Sequence, residues 1–195
     1  MNRSRVLTIL VGLMVICTGC TMPIAVSEVL QQGENDRLYT QYNIFYNDPA
    51  HISCLNFIQG NIIPFGTEIE VVECNEKKLV FKTVNSETLF SIDFSKGERM
   101  ASMQQYLRTI IGFDDREGIS KNIRPEFLVK VQNGEVAYGM TKDEVSVAWG
   151  KVPPVHTPDE KNMTWIYMRN HHDLVRLIFK GNVLRTSMPK LQEEE

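Results

Sequence analysis

"GMTKDEVSVAWGKVPP", residues 139–154, reads as one short helix with a marked start and a marked stop. Thr141 and Glu144 form a T-x-x-E capping box, in which each side chain satisfies a backbone N–H that the first helical turn leaves orphaned. Val145, Ala148 and Trp149 fall on one helical face, Gly150 ends the run and Pro153-Pro154 forbids its continuation. No group in the segment can act as a nucleophile with a base beside it. Its specificity lies in folding, so the helix must present its apolar face to something.

The flanking sequence supplies the partners. Upstream, "RPEFLVKVQNG" (124–134) predicts another helix, with Pro125 in its first turn, Phe127, Leu128 and Val131 as the buried stripe and Gly134 at its C-terminal end. Downstream, "TWIYM", "LVRLIF" and "VLRTS" predict three strands. Their links are "RNHHD" and "KGN", and Gly181-Asn182 in the second is a tight-hairpin signal. Residues 118–188 therefore read as two helices and a three-stranded antiparallel meander. Trp149, Trp165, Tyr167 and Phe179 sit at core-facing positions, with interface anchors as the alternative. Arg176, Lys180 and Arg185 point outward.

Ahead of this unit, residues 38–117 have the grammar of strands. "LYTQYNIFY" and "HISCLNFIQG" are rich in aromatic and branched residues, punctuated by Pro49, Gly60, Pro64 and Gly66. In "TEIEVVEC" the alternation of Ile69 and Val71 slips one place, so that Val72 and Cys74 continue the apolar face; a slip of that kind marks a β-bulge. "KLVFKTV" and "TLFSIDF" follow, the latter with Phe90, Ile92 and Phe94 on one face. The expectation is a small antiparallel sheet, in one version curled into an SH3-like barrel, closed by an amphipathic helix carrying Met100, Met103, Leu107, Ile110 and Ile111 and stopped by Gly112. The fold class is α+β, with the domain boundary in the polar run "DDREGISKN".

The first residues bear on location. "MNRSRVLTILVGLMVICTGC" places Arg3 and Arg5 ahead of an apolar run from Val6 to Ile16, too short for a comfortable membrane span, which reads as an export signal over residues 1–19. Its end, Ile16 to Cys20, resembles the bacterial lipobox, with Cys17 where that pattern prefers Leu. The resemblance makes Cys20 the acylated first residue of the mature chain, and Thr21 rather than Asp after it favours the outer membrane. Several acyl chains, at ~0.8 kcal/mol per buried methylene, make such an anchor lasting. Residues 20–37 then read as a tether and 189–195, ending "LQEEE", as an acidic tail.

Removing residues 1–19 takes two arginines from the 21 basic side chains, leaving 19 against 24 acidic ones, which argues against nucleic acid or anionic lipid as the main partner. Cys54 and Cys74 either pair in an oxidising envelope or remain buried thiols; spacing does not choose.

The residues of the second unit resemble the SmpA/OmlA lipoprotein family, which includes the BamE-like subunit of the outer-membrane β-barrel assembly machinery. The resemblance rests on Gly139, Met140, Thr141, Glu144 and Val145, on Trp149-Gly150, on Trp165-x-Tyr167, and on Phe179-x-Gly181-x-Val183, over about residues 122–188. It implies two helices packed on a three-stranded sheet, a lipidated N-terminus and a non-catalytic role in outer-membrane assembly or integrity through envelope proteins. The β unit of residues 38–117 is a departure from the small assembly subunit. Two other binding roles fit the same outline. The two-helix and sheet arrangement also resembles units of the β-lactamase-inhibitor protein, which implies a modulator of an envelope enzyme, and an SH3-like first unit implies peptidoglycan binding.

Candidates for chemistry are few. His171-His172-Asp173 lacks a third metal ligand at a recognisable spacing, and adjacent strand residues face opposite ways. Asp114, Asp115 and Glu117 lack the alternating oxygens of a calcium loop. Cys54 has only His51 as a base close in sequence. No cofactor, metal or catalytic set is expected.

Overall fold

The computed structural model describes residues 21–94 and 102–191. The expected signal segment and Cys20 lie outside the described residues, as do Met100 and the last four residues. The fold is α+β. The first half holds strands β1 (Leu38–Thr40), β2 (Ile44–Tyr46), β3 (Ile52–Ser53), β4 (Asn61–Ile63), β5 (Glu68–Cys74), β6 (Lys78–Thr83) and β7 (Leu89–Asp93). Six strands form a curled sheet in the order β3-β7-β6-β5-β1-β8, where β8 is the pair Ile111–Gly112. The expectation of a wholly antiparallel sheet needs correction, because β3 joins β7 in parallel.

Alternation decides what the sheet buries. Phe90, Ile92 and Phe94 all turn inward, at 6%, 0% and 4% exposure. The slip in β5 is a bulge: the register jumps from Val71↔Phe81 to Glu73↔Val80. Cys74 resumes the inward face, but Val72 is the skipped residue and points to solvent, contrary to the expected pattern.

Helix α2 (Met103–Ile110) opens on a Ser102–Gln105 capping box and buries Met103, Leu107 and Ile110 against this sheet. Ile111 was expected within the helix and instead leaves it in an extended conformation, since Ile111 and Gly112 pair with β1. The expected tether is also partly built into the body. Pro23 bridges to Asn75, Ile24 N–H donates to Cys74 O at 2.8 Å, and helix α1 (Val26–Leu30) packs on α2, with Arg108 Nε donating to Val29 O. No disulfide joins Cys54 to Cys74; burial pushes the Cys74 thiol up to about 11.

The second half holds α3 (Arg116–Ser120), α4 (Pro125–Gln132), α5 (Lys142–Trp149), β9 (Thr164–Met168), β10 (Leu174–Lys180) and β11 (Val183–Met188). The strands form an antiparallel sheet in the order β11-β10-β9, and α4 and α5 share its apolar cluster. α4 closes in a Schellman turn, with Gly134 N–H donating to Val131 O and Glu135 N–H to Lys130 O. Gly139-Met140-Thr141 then runs beside β11: Gly139 N–H donates to Leu184 O and Leu184 N–H to Met140 O. Gly139 adopts φ +93°, and the lead-in to α5 doubles as an added sheet edge, with Thr141 bridging to Val183.

Two asparagines weld the halves. The ribbon of β2 and β4 gives Ile44 and Ile63 to the first apolar cluster and Phe45 and Ile62 to the second, as strand alternation requires. Beside it, Asn43 is wholly buried and donates through its side-chain amide to Val131 O at 2.7 Å and Ala148 O at 3.1 Å, while its backbone N–H donates to Val147 O. Asn56, at φ +52°, donates to Trp149 O and Asn43 O. The final carbonyls of a helix have no partner within it. Here Val147, Ala148 and Trp149 of α5 are satisfied by residues from the opposite half. Gly150 follows from the same contact, since a Cβ there would lie 2.7 Å from Asn56 Nδ2.

At the other end of α5, Glu144 is 2% exposed and accepts from Arg124 Nε, Nη2 and N–H and from Thr141 N–H. Burial alone would raise its carboxyl, but these donors outweigh it and hold the group at about 2. The group's ordinary value is 4.5, so its contribution is full above that range and is lost as pH falls toward about 2. Wild-type stability should drop by about 3 kcal/mol across that window, judged from the size of the shift. In urea titrations Glu144→Gln should lose about 2–3 kcal/mol at neutral pH and converge on wild type at the acid end; parallel pH profiles would refute the assignment. Asn43→Ala should cost roughly 3 kcal/mol or more, by stranding helix-end carbonyls, and unchanged unfolding midpoints would contradict the weld.

Candidate functional site

The residues that carry the sequence motif all face inward. Trp149, Trp165, Tyr167 and Phe179 are 7%, 2%, 1% and 2% exposed. Their rings meet in series, Trp149 with Tyr167 at 5.4 Å and Trp165 with Phe179 at 5.0 Å. Each polar handle is used: Trp149 Nε1 donates to Gly134 O, Trp165 Nε1 to Glu160 O and Tyr167 OH to Gly150 O. Lys142 Nζ lies over Trp165 and Phe179 and donates to Glu160 O and Asn162 O. Met140 and Val145 are wholly buried. Gly181, at φ +62°, makes the two-residue link of the final hairpin.

With α4 and α5 sharing the apolar cluster on one face of the β9–β11 sheet, the other face is open except at its Met168 end, where that side chain is 6% exposed. Its cross-strand rows are Ile166–Arg176–Met188 and Thr164–Ile178–Thr186. Arg176, Lys180 and Arg185 are exposed there, and none has an ion-pair partner among the described residues. Ile166 and Ile178 are half-buried between them, while Met188 is 57% exposed. A face combining cations with apolar side chains suits an acidic macromolecular surface.

The candidates for chemistry are dispersed. His171 stacks edge-on against Phe57 at 4.7 Å, while His172 and Asp173 donate backbone N–H groups to Asn170 Oδ1. Asp115 caps α3 through Gly118 N–H, Glu117 pairs with Lys121, and Asp114 offers its backbone carbonyl to Gln41. His51 Nδ1 meets Asp93 Oδ2 at 3.1 Å in one hollow, whereas Cys54 lines a separate cavity of about 140 Å³ with Leu55, Tyr106 and Pro153. Among the described residues no cluster of three or more His, Cys, Asp or Glu side chains converges on a point, and no helix is long and apolar enough to cross a membrane.

A wider cleft of about 630 Å³ opens between α2 and α5, with Arg108, Asp114, Asp143 and Lys151 on its walls. Tyr42 crosses its floor; burial pushes its phenol far up, and the side chains of Tyr106 and Thr109 meet it. Ser146, 7% exposed, also borders this cleft, and its Oγ has no hydrogen-bond partner among the described residues. Sequence patterns did not single out Asn43, Asn56 or Arg124; the signal available was a lone polar residue inside the apolar runs "YNIF" and "LNFI".

No family model matches this chain, and neither a curated protein nor a solved structure matches it.

An orphaned hydroxyl within a helix is a net cost. Ser146→Ala should therefore raise stability by about 1 kcal/mol, through restored satisfaction and better helix propensity. A thermal melt that falls instead would show that Ser146 Oγ makes a favourable contact in solution.

Proposed function

We propose that this chain is a bacterial envelope lipoprotein, acylated on Cys20 and held at the outer membrane, whose body is a non-catalytic binding module. In this reading residues 118–188 have the BamE-like arrangement and serve outer-membrane assembly or integrity. The observation that carries it is the open face of the β9–β11 sheet. The motif side chains are spent on the opposite face, so Arg176, Lys180 and Arg185, with Ile166 and Ile178 between them, are left for an envelope protein with an acidic surface. The export-like first segment and the lipobox-like end at Cys20 support an envelope location for that face.

The test is photo-crosslinking from intact envelopes with a reactive residue at Thr186, read by mass spectrometry, alongside a Cys20→Ser form. Anchor-dependent recovery of barrel-assembly components is expected. Arg176→Glu with Arg185→Glu should reduce that recovery about tenfold or more while leaving the melting temperature within a few degrees, because both side chains are exposed. Recovery of wall fragments or of one soluble enzyme, insensitive to the double charge reversal, would overturn the proposal.

A further inference from the structure

The anchor proposed at Cys20 and the first fixed point of the body are close in the chain. Pro23 bridges to Asn75, and Ile24 N–H donates to Cys74 O at 2.8 Å. Three residues of fully extended backbone span at most about 11 Å. A free segment running to residue 37 would reach roughly 60 Å by the same measure. Acyl chains on Cys20 therefore could not hold the body at a distance: the attachment point must lie within that short span of Pro23, which bridges to Asn75.

Asn75 belongs to a stiff turn. Its Oδ1 accepts from Lys77 N–H and Lys78 N–H, its Nδ2 donates to Glu73 Oε1, and its backbone N–H donates to Lys78 O. The turn joins β5 to β6, so its position fixes that of the six-stranded sheet. The next turn, at Asn85 and Ser86, lies at the far end of β6; six strand residues at ~3.3 Å each put about 20 Å between the two ends.

We propose that the β5–β6 turn is a membrane-facing surface, resting on phospholipid headgroups with β6 running away from the bilayer. This rests on the acylation reading above. The surface suits that neighbour. Met22, 82% exposed, offers an apolar side chain within the short span, and Glu76 and Lys77, with the Glu73–Lys78 pair at 2.8 Å, leave the turn formally neutral toward headgroups of either charge.

The test uses the full acylated protein, with the acyl mass on Cys20 verified first, in phosphatidylcholine vesicles carrying a headgroup-labelled quencher. A fluorophore is placed on an azide-bearing residue at Lys77 or at Ser86. Quenching at 77 should exceed that at 86 severalfold. A twelve-residue Gly/Ser insertion between Thr21 and Met22, with a flexible span of roughly 20 Å, should abolish the difference. Equal quenching at the two sites in the acylated protein, or a difference that survives the insertion, would overturn the orientation alone. Absence of acyl mass would overturn the anchoring reading and this inference with it.

Discussion

The amide of Asn43 is the contact on which the two halves depend. One buried side chain caps carbonyls at the ends of both α4 and α5, and its Oδ1 accepts from Phe65 N–H in the first half. Asn56 repeats the arrangement one step along, linking Phe45 N–H to Trp149 O. A buried polar network is favourable only when every member is satisfied, and here the donors and acceptors match across the seam. The apolar clusters are divided accordingly, with Phe45 and Phe65 contributed to the second cluster by the first half.

The other end of α5 is governed by charge. Glu144 does three things with one carboxylate: it completes the capping box, fixes the N-cap of α4 through Arg124 N–H, and neutralises the Arg124 guanidinium. Arg124 also donates to Gly139 O and lies over Phe127 at 4.6 Å. Both ends of α5 are thus held by groups distant in sequence, which explains why eight residues suffice for a stable helix when an isolated helix of that length would be marginal.

What the sequence made legible was local. The Thr141–Glu144 box, the stop at Gly150, the meander and the bulge after Val71 follow from spacing and turn chemistry within a few residues. Three features were not legible, each because a distant partner overrode the local pattern. Ile111 fits the helical stripe of α2, yet β1 offered it a ladder. Residues 21–37 lack strong periodicity and turn polar toward their end, yet the Cys74 carbonyl and the α2 surface hold residues 24–30. β3 has a parallel neighbour because the chain from β3 travels through three other strands, β4, β5 and β6, before β7 returns alongside it. As for the candidate binding face, the outward set of Arg176, Lys180 and Arg185 was readable from alternation, whereas the cleft beside Ser146 depends on how α2 and α5 approach.

The seam also sets an order of events during synthesis. Asn43 leaves the ribosome 88 residues before Val131 and 105 before Ala148. Until those arrive, strand β2 has Phe45 with no cluster to enter and an amide with no carbonyl to cap. Long-range pairing of this kind is slow and leaves apolar surface uncovered in the interim. The half that is made first is completed only by the half that is made last, so a chain truncated before residue 131 should lean on holdase chaperones throughout its lifetime.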